Sequence, residues 1–280
     1  AGAAPRRRVL VVGAGPGGLQ TAIAAAARGH EVTVVERETV AGGQVRWAAS
    51  VPNRAELGDV VRNQLTECAD LGVVIEYGVT ADADCVSARR PDVVVVATGS
   101  RPVRPWWAPP ADTPAGSRVV DVLEVLRGDA EPTGDVLVVD QLGFHQATSV
   151  AELLADRGCR VEIVTPSMVV GQDLGVTLDQ ETWWIRAAAK GIVSSTDRIV
   201  NAVNPDGEVH LMHHPTGATE TRRPDWVVTV LPYAPADELY HELRRRADEE
   251  GIEVHRVGDA VAPRRIHAAV VDGDRIGAGL

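Results

Sequence analysis

The chain has 280 residues with a hydrophobic content of 45%, which is enough for two cored domains of ordinary size. Its formal net charge of −11 argues against nucleic acid or an anionic membrane as the main partner. Cys68, Cys85 and Cys159 form neither a CxxC pair nor a cluster-ligand spacing. This spacing excludes a local dithiol redox site and an iron–sulfur cluster held by the chain, and no metal site is predicted.

The opening segment predicts a strand, a glycine turn, a helix and a second strand. The apolar run Val9–Val12 is followed by Gly-Ala-Gly-Pro-Gly-Gly at 13–18, an alanine-rich stretch, and a second apolar run that ends at Glu36. Gly13 permits the tight turn, Gly15 lets backbone amides approach a pyrophosphate, and Gly18 lets the helix pack on the sheet. A carboxylate at the position of Glu36 accepts the hydroxyls of an adenosine ribose. This order predicts an adenine-dinucleotide site.

Two later segments extend this candidate site. The paired glycines of Ala41-Gly-Gly-Gln44 allow backbone to lie against a phosphate or a flavin ring, and Gln44 can hydrogen-bond a ligand. The apolar strand after Asp92 ends in the small residues Ala97-Thr98-Gly99. Several prolines follow that strand, so a crossover is predicted there rather than a further element.

An internal repeat predicts a second strand–helix–strand unit at 136–165. Asp140, Leu142 and His145 stand where the first copy has its three glycines, and Thr165 stands where the first copy has its acid. Leu142 brings a side chain to the point of phosphate approach, and Asp140 brings a negative charge. At about 4 Å that charge would repel a phosphate by roughly 1–4 kcal/mol. The second unit is therefore predicted to have kept its core and lost its hold on phosphate.

The sequence of the last third of the chain predicts that its final strand and helix belong to the first unit. A strand at 226–231 matches the one that ends at Ala97, and Gly258 and Asp259 end a further strand. Asp259 can accept a hydrogen bond from a sugar or ribityl hydroxyl. A final helix from about Arg265 would direct its positive N-terminal end at the ligand.

The element order predicts an α/β fold with two Rossmann-like dinucleotide-binding domains, three-layered as in glutathione reductase, the second inserted into the first. Residues 1–112 and 236–280 are predicted to form an FAD- or ADP-binding domain. Residues 113–235 are predicted to form a degenerate NAD(P)-binding-like domain.

Taken together, these motifs resemble the C-terminal half of the 2,4-dienoyl-CoA reductase and trimethylamine dehydrogenase family, whose members carry an Old Yellow Enzyme-like barrel ahead of it. The similarity covers nearly the whole chain and is closest at 140–166 and 258–267. The resemblance implies that the cofactor contacts are Gly13, Ala14, Gly15, Pro16, Gly17, Gly18, Glu36, Arg37, Gly43, Gln44, Val79, Ala97, Thr98, Gly99, Gly258, Asp259 and His267. It leaves the catalytic residues unknown.

The two branches of that family imply different ligands. One branch binds FAD, which is reduced by NADPH held on the second unit, and the other binds ADP beside a degenerate second unit. Here the first unit resembles the FAD branch and the second unit the ADP branch. FAD is therefore expected, with ADP as the alternative, and binding of NAD(P)H is left open. Arg160, Arg222 and Arg223 do not decide between NADH and NADPH.

The resemblance also implies a partner, because this chain lacks the length for a barrel and the cysteines for a cluster. FMN and the 4Fe-4S cluster are expected only on a barrel subunit or domain, in a cytoplasmic hetero-oligomer. The leading hypothesis is a flavoprotein module that relays electrons between a nicotinamide and this barrel. The alternative is a non-catalytic ADP-binding scaffold subunit of an enzyme like the amine dehydrogenases or demethylases. A thioredoxin-reductase type of dithiol enzyme is disfavoured by the missing CxxC, and whether the chain is a natural subunit or an excised domain stays open.

Overall fold

A computed structural model describes residues 5–280. The strands are β1 (Arg8–Val12), β2 (Glu31–Glu36), β3 (Val74–Tyr77), β4 (Val93–Val96), β5 (Ser100–Arg101), β6 (Val119–Asp121), β7 (Asp135–Asp140), β8 (Arg160–Val164), β9 (Val193–Ser195), β10 (Arg198–Val203), β11 (Val209–His213), β12 (Ala218–Arg222), β13 (Trp226–Val230), β14 (Ala234–Pro235) and β15 (Glu253–Arg256). The helices are α1 (Pro16–Ala27), α2 (Val45–Ala48), α3 (Gly58–Asp70), α4 (Ala83–Arg89), α5 (Val122–Arg127), α6 (His145–Asp156), α7 (Gln180–Ala189), α8 (Glu238–Glu250) and α9 (Ile266–Gly279). Within the described residues, none of these helices has the length and apolar character needed to cross a bilayer.

The described chain divides into two compact units. The first comprises the residues up to Ala49, Ala55–Arg101 and Tyr233–Leu280, and the second comprises Ser50–Arg54 and Pro102–Pro232. Each unit is built on a five-stranded parallel sheet, in the order β15-β4-β1-β2-β3 in the first and β6-β13-β7-β8-β9 in the second. The predicted α/β class with parallel sheets is confirmed, while the predicted domain boundaries stay a prediction.

In the first unit the central strand β1 is buried on both faces. Val9 and Val11 point to the face covered by Leu19 of α1, because side chains alternate along a strand. Leu10 and Val12 point to the opposite face, where they join the cluster that contains Leu243 of α8. Helices on both faces explain why β1 and β4 are almost continuously apolar.

Helices α1 and α9 pack closely through glycines. A Cβ atom added at Gly273 would lie 2.3 Å from the carbonyl oxygen of Gly17, and one added at Gly277 would lie 2.5 Å from that of Thr21. Any side chain at Gly273 or Gly277 would therefore push α9 away from the helix that carries the glycine loop. The sequence predicts α9 but not its partner, although the four-residue spacing of these two glycines is typical of close helix contacts.

In the second unit β7, α6 and β8 form the predicted strand–helix–strand repeat. Val136 and Val138 face the cluster that contains Leu154 of α6, whereas Leu137 and Val139 face the opposite side. On that side the cover is the antiparallel sheet β10-β11-β12 rather than a helix. The core of the second copy is thus complete although its glycines have been replaced.

Candidate functional site

The turn after β1 and the first turn of α1 each have one position, Gly13 and Gly18, with no room for a side chain. Gly13 has a φ of +110° and donates its N–H to the carbonyl of Val35 at 2.8 Å. A Cβ atom at Gly13 would lie 2.3 Å from the carbonyl oxygen of Ala97, and one at Gly18 would lie 2.0 Å from that of Gly13. These contacts hold the start of α1 against the ends of β1 and β4, as predicted for Gly13 and Gly18.

The N-terminus of α1 is open and uncapped. Gly15 is its N-cap and Pro16 its first residue, and within the described chain no side chain caps this turn. Because proline has no N–H, the amides of Gly17 and Gly18 are the first-turn donors that the helix leaves without an internal acceptor. A Cβ atom at Gly15 would meet nothing within 4 Å. The turn therefore presents N–H groups and the positive end of the helix dipole to open space, which suits a pyrophosphate.

Glu36 lies beside this turn at the end of β2 and is only 8% exposed. One carboxylate oxygen accepts the N–H of Ala14 at 2.7 Å, and the other accepts the N–H of Glu38 at 2.9 Å. A carboxylate offers about four acceptor positions, so two remain for ribose hydroxyls. Val79 borders the same residue, because its N–H donates to the backbone carbonyl of Glu36 at 2.9 Å.

The paired glycines before α2 lie against the glycine turn. Gly42 has a φ of +115° and donates its N–H to the carbonyl of Ala14 at 2.8 Å. Gly43, with a φ of +51°, is so close that an added Cβ would lie 3.5 Å from the Cα of Gly15. The segment therefore extends the backbone surface of the turn toward Gln44.

Gln44 and Asp259 are connected by a residue that the sequence prediction missed. The side-chain amide of Gln44 donates to Ser100 Oγ at 2.9 Å, and Ser100 Oγ donates to Asp259 Oδ2 at 2.9 Å. The other carboxylate oxygen of Asp259 accepts the N–H of Arg264 at 3.1 Å. The available signal was a hydroxyl directly after Thr98 and Gly99, four residues beyond the end of β4.

The small residues at the end of β4 and near 258 shape the same region through backbone contacts. The hydroxyl of Thr98 donates to the carbonyl of Ala236, and the N–H of Ala236 donates to the carbonyl of Gly99 at 3.0 Å. Gly258 has a φ of +63°, and a Cβ added there would lie 3.3 Å from the Cβ of Ala269 in α9. Hydrogen bonds from Thr98 and Gly99 thus connect the segment after β4 to Ala236, before α8.

Two of the predicted residues lie apart from this network. Arg37 is exposed and its guanidinium pairs with Glu38 at 3.5 Å. His267 is exposed in the first turn of α9, and in the described part of the chain no hydrogen bond joins it to the other predicted residues. Glu36 thus contacts the glycine turn whereas the side chain of Arg37 is exposed, and cofactor contacts by Arg37 and His267 stay predictions.

The corresponding turn of the second unit is closed by its own side chain. Asp140, the last residue of β7, is fully buried, and its Oδ1 accepts the N–H groups of Leu142 and Gly143, both at 2.9 Å. Burial raises the pKa of Asp140 to about 6. The loop before α6 spans residues 141–144, whereas the loop before α1 spans 13–15. Thr165, in the place of Glu36, is buried.

Three arginines of the second unit are each engaged by a carboxylate. Arg160 pairs with Asp135 at 2.5 Å, Arg222 with Glu162 at 2.9 Å, and Arg223 with Glu208 at 2.7 Å. A ribose phosphate would have to compete with these pairs for the guanidinium groups.

The profile of the pyridine nucleotide-disulphide oxidoreductase family matches residues 7–262. The chain belongs to this family. It is 34% identical to N,N-dimethylglycine/sarcosine dehydrogenase of Chromohalobacter salexigens, over 97% of this chain and 44% of the relative. It is 29% identical to the multifunctional alkene reductase/demethylase OYE of Caballeronia cordobensis, over 98% of this chain and 44% of the relative. Histamine dehydrogenase from Rhizobium sp. 4-9 superposes with a TM-score of 0.92 at 27% identity, over 99% of this chain and 44% of that chain.

The chain thus spans less than half the length of the relatives that it matches. The predicted resemblance to the C-terminal half of the dienoyl-CoA reductase and amine dehydrogenase enzymes is confirmed. The matched family and relatives show that this chain is a module related to flavoprotein dehydrogenases and reductases.

Proposed function

We propose that the first unit binds FAD and that the module relays electrons between a nicotinamide and an Old Yellow Enzyme-like barrel partner that carries FMN and a 4Fe-4S cluster. The glycine turn and Glu36 would hold the adenosine diphosphate portion. Gln44, Thr98 and Asp259 would line the flavin portion. FAD, when bound, supplies the redox chemistry, and the residues of this chain bind and orient it.

The observation that carries this proposal is the hydrogen-bonded series Gln44–Ser100–Asp259 beside the glycine turn. ADP needs the uncapped start of α1 and the acid Glu36, and it needs nothing beyond Gly43. A further series of amide, hydroxyl and carboxylate groups supports a longer ligand with hydroxyls of its own, such as the ribityl chain of FAD.

We further infer that the two compact units are the two dinucleotide-binding domains of a glutathione-reductase-like fold, the second inserted into the first. The similar strand orders support this inference, because β1, β2 and β4 occupy the same places in one sheet as β7, β8 and β13 in the other. The boundaries proposed from the sequence, 1–112, 113–235 and 236–280, stand as part of this inference.

A second candidate function is an ADP-binding scaffold without redox activity, and one observation favours it. Asp140 occupies the amides of Leu142 and Gly143, two donors in the turn of the second unit where a nicotinamide dinucleotide would bind. A module that binds no second nucleotide has no route for hydride exchange through that unit. The barrel partner would then perform the oxidation alone.

Identification of the released nucleotide separates the two candidates. The purified protein is denatured, and the supernatant is analysed by absorbance and mass spectrometry, with reconstitution of the stripped protein by FAD or by ADP as a check. Released FAD, or reconstitution by FAD much tighter than by ADP, is expected. ADP without flavin, together with equal affinity for both nucleotides, would refute FAD binding.

The relay is tested separately from the cofactor. Addition of NADH or NADPH under anaerobic conditions to the flavin-loaded protein is expected to bleach the flavin absorbance, and co-purification with a barrel chain that contains FMN and iron is expected in the native source. A flavin that neither nucleotide bleaches, in the presence of such a barrel, would refute the nicotinamide step and leave the scaffold function.

A further inference from the structure

In the turn between β7 and α6, the side chain of Asp140 occupies backbone N–H groups that could otherwise bind a ligand. The N–H groups of Leu142 and Gly143 converge on one oxygen of Asp140, each at 2.9 Å. Converging amides of such a turn are the groups that bind phosphate oxygens in dinucleotide sites. A carboxylate oxygen has the charge and the acceptor geometry of a phosphate oxygen, so it satisfies these amides in the same way.

The position and burial of Asp140 make this arrangement hard to displace. Asp140 is fully buried, and among the described residues its Oδ2 is buried without a hydrogen-bond partner. Asp173, whose N–H donates to the carbonyl of Gly143 at 2.9 Å, adds negative potential at Asp140. An entering phosphate would have to take the amides from Asp140 and meet its buried carboxylate at low dielectric.

The first unit provides the contrast. Gly13, at the repeat position of Asp140, has no side chain, and the carboxylate of Glu36 binds the amides of Ala14 and Glu38 from the side. Among the described residues, neither α1 nor α6 has a side-chain cap at its N-terminus, so the two copies differ in the turn before the helix. The two copies therefore differ in how many turn amides a carboxylate of the chain occupies: Asp140 accepts two in the second unit, and Glu36 accepts one in the first.

We propose that Asp140 acts as an internal substitute for a nucleotide phosphate, which keeps pyridine dinucleotides out of the β7–α6 turn and confines dinucleotide binding to the β1–α1 turn. Asp140 is thus a specificity-determining residue of the second unit. The proposal holds whether FAD or ADP occupies the first unit. In the proposed relay, a nicotinamide would be held by contacts other than this turn.

The test compares four proteins with the first site saturated by their own nucleotide or by added ADP. They are the natural chain, Asp140→Asn, the double variant Asp140→Gly/Leu142→Gly, and the control Asp173→Asn, which removes a nearby charge and leaves the amides bonded. NADH and NADPH are titrated by nicotinamide fluorescence, and hydrogen–deuterium exchange is followed over residues 141–147. Thermal unfolding shows which variants are folded.

We expect no nucleotide-dependent protection of residues 141–147 in the natural chain or in Asp173→Asn. The double variant is expected to bind NADH or NADPH at least about tenfold more tightly, with new protection of this segment. Protection of the segment by either nucleotide in the natural chain would overturn the proposal, and so would a folded double variant without any gain in affinity. If the double variant does not fold, the exchange experiment on the natural chain decides alone. Neither result depends on which nucleotide the first unit releases, so a failure here is distinct from a failure of the proposed function.

Discussion

Replacement of Glu36 by glutamine tests how the first unit recognises a ribose. Both oxygens of the Glu36 carboxylate accept backbone N–H groups, from Ala14 at 2.7 Å and from Glu38 at 2.9 Å. Glutamine keeps one acceptor oxygen and places an NH₂ donor at the other position. One of the two backbone amides then faces a donor, and the side chain also loses acceptor positions for the ribose hydroxyls.

The size of the effect follows from the bonds that are lost. A hydrogen bond to a charged group contributes about 1.5–3 kcal/mol, and a buried donor left without an acceptor costs a similar amount. Loss of one ribose contact of this kind should weaken binding of ADP roughly 10- to 150-fold. The effect should be the same for FAD, because the ribose lies in the portion that the two nucleotides share.

Calorimetric titration of the nucleotide-free protein with ADP measures this change. Glu38→Gln is the matched control, because Glu38 is exposed and its side chain pairs only weakly with Arg37, at 3.5 Å. We expect the affinity of that variant to stay within about twofold, as for exposed ion pairs. An ADP affinity of Glu36→Gln within twofold of the natural chain would refute the assignment of the ribose to Glu36.

Three further predictions concern the frame around the two turns. Gly277→Ala should lower the free energy of unfolding by about 1–3 kcal/mol, because Gly277 lies in the close α1–α9 contact. Gly279 has open space around it, so Gly279→Ala should change the free energy of unfolding little. Thermal unfolding compares the two variants. Arg186→Met should lower the free energy of unfolding, measured in urea, by roughly 3–5 kcal/mol, because it leaves the carboxylate of Glu152, which is 1% exposed, without its cation. Adding Glu152→Gln to this variant should recover part of the lost stability. Burial raises the pKa of Asp140 from 3.8 to about 6, so the folded state holds this proton more tightly than the unfolded chain. As the pH rises from about 4 to 6, the natural chain should therefore lose unfolding free energy relative to Asp140→Asn, by up to about 3 kcal/mol, and a pH-independent difference would contradict this.

The parts of the site that could be predicted are those encoded within one short segment. A strand, a glycine turn and a helix lie within 20 residues at the start of the chain, so the constraint on Gly13 and Gly18 can be read from their order alone. Glu36 could be predicted because the end of β2 must lie beside the end of β1 in a parallel sheet. The repeat at 136–165 followed from the same reasoning.

The parts that could not be predicted depend on segments distant in sequence. Ser100 joins Gln44 to Asp259 only because the end of β4 lies beside the turn after β15, and strand order is not visible in any single motif. The packing role of the glycines in α9 could not be predicted, because the sequence does not show that α1 is the neighbouring helix.

The two turns also show why loss of phosphate binding in the second unit required more than one substitution. In the first turn a Cβ atom at Gly13 would lie 2.3 Å from the carbonyl oxygen of Ala97, so an aspartate cannot be placed there without moving backbone. In the second turn the aspartate is accommodated, and the loop before the helix has four residues rather than three. Exchange of Gly13 for aspartate alone would thus disrupt the first turn rather than close it. For the same reason the reverse change at Asp140 needs Leu142→Gly beside it before the second turn can be expected to receive a phosphate.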